Sequence, residues 1–253
     1  MRLLVAILTS RDAEKLKRCI ESVLPQTKDV VVVCNTLDSS YENIATLVAE
    51  SYGIQCIVTE SNGTPARGKN SVLDYFLTTN YDYLTQVDAD DYLQFDAIDT
   101  LYSIIEANPE IDVLGLNNMN ILLNGNKYTE KTLFSNRVAS SFANIMDEDH
   151  SKNLFKINVF MRKKLNCNRM ILYSRKCAKY FKFDETLSGS EDLVASYKLY
   201  YDPKICYLRV DDNIYIYELE QTGNLHAFLS NPNEVMRVCL ELENIIHANE
   251  IQN

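Results

Sequence analysis

Tyr83-Leu84-Thr85-Gln86-Val87-Asp88-Ala89-Asp90-Asp91 is a run of strand-forming residues that ends in three carboxylates. Such a run reads as a buried strand, and Phe95, Ile98, Leu101 and Ile105 after it recur at helical spacing. The same alternation holds on both sides. Upstream, Leu3 to Leu8 is a continuous apolar run, and Ala13, Leu16, Ile20, Val23 and Leu24 mark a helix that Pro25 stops. Val30 to Cys34 is a second strand and 39–51 a helix with Ile44, Leu47 and Val48 on one face. Ile54 to Val58 is a third strand. The polar stretch Glu60 to Gly68 reads as a loop, and a helix follows through Val72, Leu73, Phe76 and Leu77. Downstream, Asp112 to Leu116 is a further strand. Strands separated by helices of this length make βαβ units and a mostly parallel sheet. Ligands bind such sheets at the carboxyl ends of the strands. Thr9-Ser10-Arg11, Asn35 to Asp38 and the Asp88–Asp91 cluster all fall there.

The second half is less regular. Asn124-Gly125 suggests a hairpin between Ile121-Leu122-Leu123 and the Tyr128 segment. Residues 136–146 read as a helix, Met170 to Tyr173 as a strand and Glu191 to Tyr201 as a helix. Ile205 to Leu208 and Ile214 to Tyr217 read as strands. Pro232 to Ala248 is a closing helix, packed on its own core or on a second subunit. The expectation is one compact α/β unit with two functional halves, 1–117 and 118–230, and a terminal helical segment, 231–253.

At 253 residues with 46% apolar side chains, the chain can bury a sizeable core, which argues against disorder. No apolar run approaches the roughly 18 residues of a membrane helix. Arg2 to Leu8 is too short for a secretory leader and reads better as the first strand. Seven scattered cysteines without a Cys-x-x-Cys pair fit a reduced, cytoplasmic setting. A net charge of −10 argues against a general nucleic-acid binder. The charge is uneven, however. Residues 152–182 hold ten of the 25 basic residues and none of the 35 acidic ones.

Carboxylates crowded at a strand end repel one another unless a cation or solvent neutralises them. Asp88, Asp90 and Asp91 suit Mg²⁺ or Mn²⁺, ions commonly shared with substrate phosphates. The plainer reading is a solvated loop in which Asp91 caps the next helix. Ser190-Glu191-Asp192 opens a helix about a hundred residues later. Its acids serve either as helix-dipole partners or as a general base facing the cluster across a cleft.

Together these pieces resemble the family 2 glycosyltransferases of GT-A fold, over roughly residues 3–220. Glu21-Ser22-Val23-Leu24-Pro25-Gln26-Thr27 is similar to the family's helix-ending Ser-Val-Leu-x-Gln-Thr. Gly63-Thr64-Pro65-Ala66-Arg67-Gly68-Lys69-Asn70 is similar to its Gly-x-x-x-Ala-Arg-Asn stretch. Val87-Asp88-Ala89-Asp90-Asp91 matches its Asp-x-Asp signature. Phe183-Asp184-Glu185-Thr186-Leu187 with Ser190-Glu191-Asp192 resembles its Phe-Asp-Glu-x-Leu…Gly-Glu-Asp segment.

The resemblance implies a metal-dependent inverting transfer from a nucleotide-diphosphate sugar, most often a UDP-sugar, with Mn²⁺ or Mg²⁺. It implies that Thr9 and Arg11 line the nucleotide pocket, that Asn35 stands where the family has a base-reading Asp, and that Asp38 is the fallback for that role. Arg67, with Asn70 in the same stretch, belongs to the nucleotide-sugar site. Asp88 reaches the ribose or sugar, and Asp90 the metal with Asp91 as a competing ligand. Asp192 is the base, and Glu191 orients or binds acceptor. His226 is a candidate metal ligand. Ser190 replaces the usual Gly, which changes little in principle, because a serine can precede a helix comfortably. Tyr215 and Tyr217 pack in a strand or stack on a sugar.

Arg162, Lys163 and Lys164 are candidate acceptor contacts. The basic stretch is either solvated surface or the recognition face of an anionic acceptor: a phosphorylated glycan, a lipid-linked diphosphate or nucleic acid. Two alternatives are a catalytically silent module that binds a nucleotide sugar or a protein, and a sugar nucleotidyltransferase. The latter needs a glycine-rich loop after the first strand, and Thr9-Ser10-Arg11-Asp12 has no glycine.

Overall fold

The computed structural model describes residues 1–116, 120–123, 126–129, 169–187, 189–211, 214–218 and 232–250. The first half alternates as its periodicity requires: β1 (Leu3–Thr9), α1 (Ala13–Val23), β2 (Val30–Asn35), α2 (Ser39–Ser51), β3 (Gln55–Thr59), α3 (Pro65–Thr78) and β4 (Tyr83–Asp88). There follow β5 (Tyr92–Leu93), α4 (Ala97–Ala107), β6 (Val113–Leu116), β7 (Asn120–Leu123) and β8 (Asn126–Thr129). The later elements are β9 (Arg169–Ser174), α5 (Arg175–Tyr180), α6 (Glu191–Tyr201), β10 (Tyr207–Val210), β11 (Tyr215–Glu218) and α7 (Pro232–Glu250).

A seven-stranded sheet runs β10-β6-β9-β4-β1-β2-β3. All its pairings are parallel except those of β9, which is antiparallel to both β4 and β6. A smaller mixed sheet, β5-β11-β7-β8, lies beside it. Successive side chains of a strand point to opposite faces, which explains the unbroken apolar run of β1. Leu3, Val5 and Ile7 pack under α1, α2 and α4, whereas Leu4 and Ala6 pack under α3 and α5. The result is a helix–sheet–helix sandwich in which the central strands β1, β2, β4 and β9 are buried on both faces.

Helix α3 begins earlier than the polar composition of 60–68 suggests. Thr64 accepts from the Arg67 amide at 3.2 Å, and Pro65 occupies the first turn, where its missing N–H is no loss. Gly68 lies inside the helix because a Cβ there would come within 3.2 Å of both Leu8 methyls. Helix α4 starts at Ala97, leaving Phe95 87% exposed outside it. β7 and β8 pair antiparallel with Leu123 opposite Asn126, while Asn124-Gly125, read as the hairpin turn, lies outside the described residues. The 136–146 segment lies outside the described residues. Helix α7 packs on its own chain: Val238 and Leu242 are buried, Arg237 donates to the Thr186 carbonyl at 2.6 Å, and Lys198 pairs with Glu241. Among the described residues no helix is long and apolar enough to cross a membrane. Cys19, Cys34, Cys56, Cys177 and Cys206 are free thiols.

Candidate active site

The strand ends open onto a cleft of about 680 Å³. Thr9 to Asp12 enter from β1, Asn35 from β2, Asp88 and Asp90 from β4, and Glu191 and Asp192 from the start of α6. Arg169 joins them because β9 runs against β4: Thr85 pairs with Leu172, so the first residue of β9 falls where β4 finishes. Strand polarity is not legible in composition, so sequence reasoning missed Arg169.

Asp88, Asp90 and Asp91 each offer an oxygen within 4.8 Å of the others. Their surroundings divide them. Asp91 is fully buried and accepts from Arg169 Nη2 at 2.7 Å, Tyr215 OH at 2.6 Å and the Glu218 amide at 2.9 Å. It caps no helix; the residue before α4 is Asp96. Tyr215 packs in its strand, fully buried in the core, and its hydroxyl also holds this network, touching Arg169 and accepting from the Asp88 amide. Asp88 Oδ2 also accepts from Arg169 Nη2, at 2.6 Å. Asp90 keeps its carboxylate toward the cleft, while its carbonyl accepts from Arg18 Nη2 at 3.1 Å. Arg18 also pairs with Glu218 and lies over the Tyr92 ring, joining α1 to the second sheet.

The electrostatics follow this division. Burial pushes the Asp91 carboxyl up to about 8 against the pull of Arg169, and Asp90 and Asp88 add to the rise. Burial also acts on Asp88, but the Arg169 and Lys69 charges outweigh it and hold that carboxyl below its ordinary value. Asp90 is raised, by burial first and then by Asp88. The described site thus places five carboxylates, Asp88, Asp90, Asp91, Glu191 and Asp192, around two buried cations, Lys69 and Arg169. That imbalance, centred on Asp90 and on Asp88 Oδ1, which accepts only a long 3.4 Å bond from Gln86 Nε2, fits a divalent cation with oxygen ligands.

On the β1–β2 side of the cleft, buried Thr9 shares a 2.5 Å hydrogen bond with Tyr41 OH, which fixes the end of β1 against α2. Arg11 is exposed at the cleft rim. Asn35 Nδ2 donates to Thr59 Oγ1 at 2.9 Å, Glu60 O at 3.1 Å and Ser71 Oγ at 3.4 Å. Three residues expected at the nucleotide sugar do not line the cleft. Asp38 caps α2, accepting from the Ser40 amide at 2.9 Å. Arg67 turns outward to Glu60 O at 3.1 Å and Glu185 at 3.6 Å. Asn70 is buried against Phe183, donating to its carbonyl at 3.0 Å and accepting from its amide at 2.8 Å. The helical phase of α3 explains the exchange: the cleft-facing position is Lys69, not Arg67 or Asn70.

Lys69 Nζ lies 2.6 Å from Glu191 and 3.7 Å from Asp192 Oδ2. Burial opposes its charge, but Asp192 and Glu191 raise its pKa well above the ordinary value. A signal for Lys69 existed, since it shares the apolar stripe Ala66, Leu73 and Phe76, where a lysine needs a buried partner. Arg169 Nη1 lies 3.9 Å from the same Asp192 oxygen. Ser190 does not precede α6 comfortably. Its φ of 59° lies in the left-handed region that favours glycine, and its side chain caps nothing.

His226, Arg162, Lys163 and Lys164 lie outside the described residues. In the described part of the basic stretch, Arg175 binds the carbonyls of Phe76, Thr79 and Tyr81 at the end of α3, Lys176 pairs with Asp112, and Lys182 with Asp74. These side chains hold the fold together.

The sequence matches the model of Glycosyl transferase family 2 over residues 4–168. Over 90 residues, 34% of the chain, it is 32% identical to chondroitin synthase of Pasteurella multocida (strain Pm70), and equally to hyaluronan synthase of Pasteurella multocida. The match spans only 9% of the length of either relative. Among solved structures, S. aureus TarS 1-349 in complex with UDP-GlcNAc superposes with a TM-score of 0.60 at 18% identity, covering 95% of this chain and 66% of that one. Glucosyl-3-phosphoglycerate synthase from Mycobacterium tuberculosis, in complex with Mn²⁺ and UDP-glucose, superposes at 0.63 with 11% identity, covering 95% and 78%. At such identities the likeness concerns the fold, and the fold is GT-A.

Proposed function

Because the chain belongs to glycosyl transferase family 2, we propose that it moves a sugar from a uridine-diphosphate sugar to an acceptor hydroxyl, with inversion at the anomeric carbon. The observation that carries this reading is the meeting of Asp88 and Asp90 with Asp192 in one cleft, from elements about a hundred residues apart.

In this reading Asp192 accepts the proton of the acceptor hydroxyl as its oxygen attacks the anomeric carbon from the face opposite the diphosphate. The bond to the diphosphate oxygen breaks as the new glycosidic bond forms. Asp90, with the Asp88 oxygen that Arg169 leaves free, would hold Mn²⁺ or Mg²⁺, which when bound supplies positive charge to the departing diphosphate. Asp91 is not a ligand in this scheme, because its oxygens are committed to Arg169, Tyr215 and the Glu218 amide.

The choice of uridine over cytidine is supported by Asn35. A carbonyl oxygen can only accept, so Glu60 O fixes the amide nitrogen of Asn35 inward. That orientation leaves Oδ1 as the side chain's acceptor for a ligand. Uracil N3–H can donate to such an oxygen, as can thymine N3–H and guanine N1–H, whereas cytosine N3 carries no hydrogen, so Asn35 argues against cytidine and the nucleotide panel separates the others.

The test is thermal stability against UDP-, GDP-, CMP- and dTDP-sugars, each with and without Mn²⁺. A Mn²⁺-dependent rise with a UDP-sugar, absent in Asp90→Ala, is expected. No rise with any donor would remove the donor half of the reading.

A further inference from the structure

Helix α3 grips the segment that carries the base. Asn70 brackets the backbone of Phe183 with two hydrogen bonds and donates to Glu185 Oε1 at 2.8 Å. One position earlier, Lys69 reaches Glu191 and Asp192 from a side chain that is 8% exposed, and Glu191 is 5% exposed. Between Gly189 and this ion pair stands Ser190, held at φ 59° with no side-chain hydrogen bond to cap α6. A non-glycine residue persists in that conformation only when its surroundings impose it.

We propose that Lys69 is the positioning residue for Asp192: its pair with Glu191 holds Ser190 left-handed and so sets the direction in which Asp192 leaves the start of α6. The proposal rests on the transferase reading, in which Asp192 is the base. Glu191, Asp192 and Asp88 repel one another, so without Lys69 the buried Glu191 charge drives the first turn of α6 toward water. Asp192 moves with it. With Lys69 present, Asp192 is fixed from three sides. Lys69 lies 3.7 Å and Arg169 3.9 Å from Oδ2, and the Leu193 amide donates to Oδ1 at 2.8 Å.

The experiment compares the wild-type chain, Lys69→Met and the Lys69→Met/Glu191→Met double variant. Its readouts are urea unfolding, calorimetric binding of UDP with Mn²⁺, and UDP release from UDP-glucose and UDP-N-acetylglucosamine. Lys69→Met is expected to lose about 100-fold in turnover while its affinity for UDP with Mn²⁺ stays within about threefold. The double variant, with no buried charge to leave unpaired, regains the wild-type urea midpoint but not the turnover. Recovery of turnover along with stability would overturn the proposal, because Lys69 would then matter only as a partner for Glu191. Undiminished turnover in Lys69→Met would overturn it as well. A wild-type chain that releases UDP from neither donor would overturn the transferase reading itself, and the role of Lys69 with it. If Lys69→Met does not fold, the double variant is read against Glu191→Gln, and a turnover no lower than that of Glu191→Gln would overturn the proposal.

Discussion

Arg169 donates from Nη2 to Asp91 Oδ2 at 2.7 Å, a buried contact between residues 78 positions apart. It separates the clustered carboxylates by task. Asp91 is tied into the framework, while Asp90 lines the cleft.

Asp91→Asn and Asp90→Asn should therefore fail differently. An amide in place of the Asp91 carboxyl cannot accept from Arg169, Tyr215 and the Glu218 amide together, and a buried donor left unpaired costs about 1–3 kcal/mol, so Asp91→Asn should lower urea stability by that order. Asp90→Asn should keep stability within about 1 kcal/mol, since its charge is disfavoured by burial and by Asp88. It should abolish the Mn²⁺-dependent thermal shift. Equal loss of stability in both variants would contradict the division.

Asp192→Asn tests the base. Loss of general-base catalysis typically costs 10²–10⁴-fold, so turnover should drop about 1,000-fold. UDP affinity measured by calorimetry should stay within about threefold, because the variant keeps the same shape. Unchanged turnover would remove Asp192 as the base.

Ser190→Gly should stabilise the chain by about 1 kcal/mol, measured by urea unfolding, because glycine adopts φ 59° without the steric penalty. A loss of stability would mean that the serine makes contacts worth more than the strain.

Acid sensitivity should trace in part to Asp112, far from the cleft. Burial raises its carboxyl, but Lys176, the Cys206 amide and Ser174 outweigh that and hold it below the ordinary value. A carboxyl lowered by folding contributes stability above its unfolded pKa, near 4, and loses it as the pH falls through the folded value. Asp112→Asn should cost about 1–3 kcal/mol at pH 7. The gap from wild type should shrink below pH 4 in urea titrations. A gap that persists at low pH would remove Asp112 as the cause.

Much of this was legible in the chain itself. The alternation of buried strands with amphipathic helices over the first 116 residues is a local property, written in side-chain period, and it determined a mostly parallel sheet whose polar strand ends share one edge. The Asp88–Asp91 cluster and Ser190-Glu191-Asp192 announced themselves by charge where charge is hard to bury. Tertiary structure decided how these parts divide the work. That β9 runs antiparallel, bringing Arg169 to the end of β4, follows from strand pairing across distant sequence. That Lys69 rather than Arg67 faces the cleft follows from where α3 begins and how it lies on β1. Sequence shows which residues carry charge. Which of those charges neutralise one another depends on distances of a few ångströms, and only the packed chain sets those.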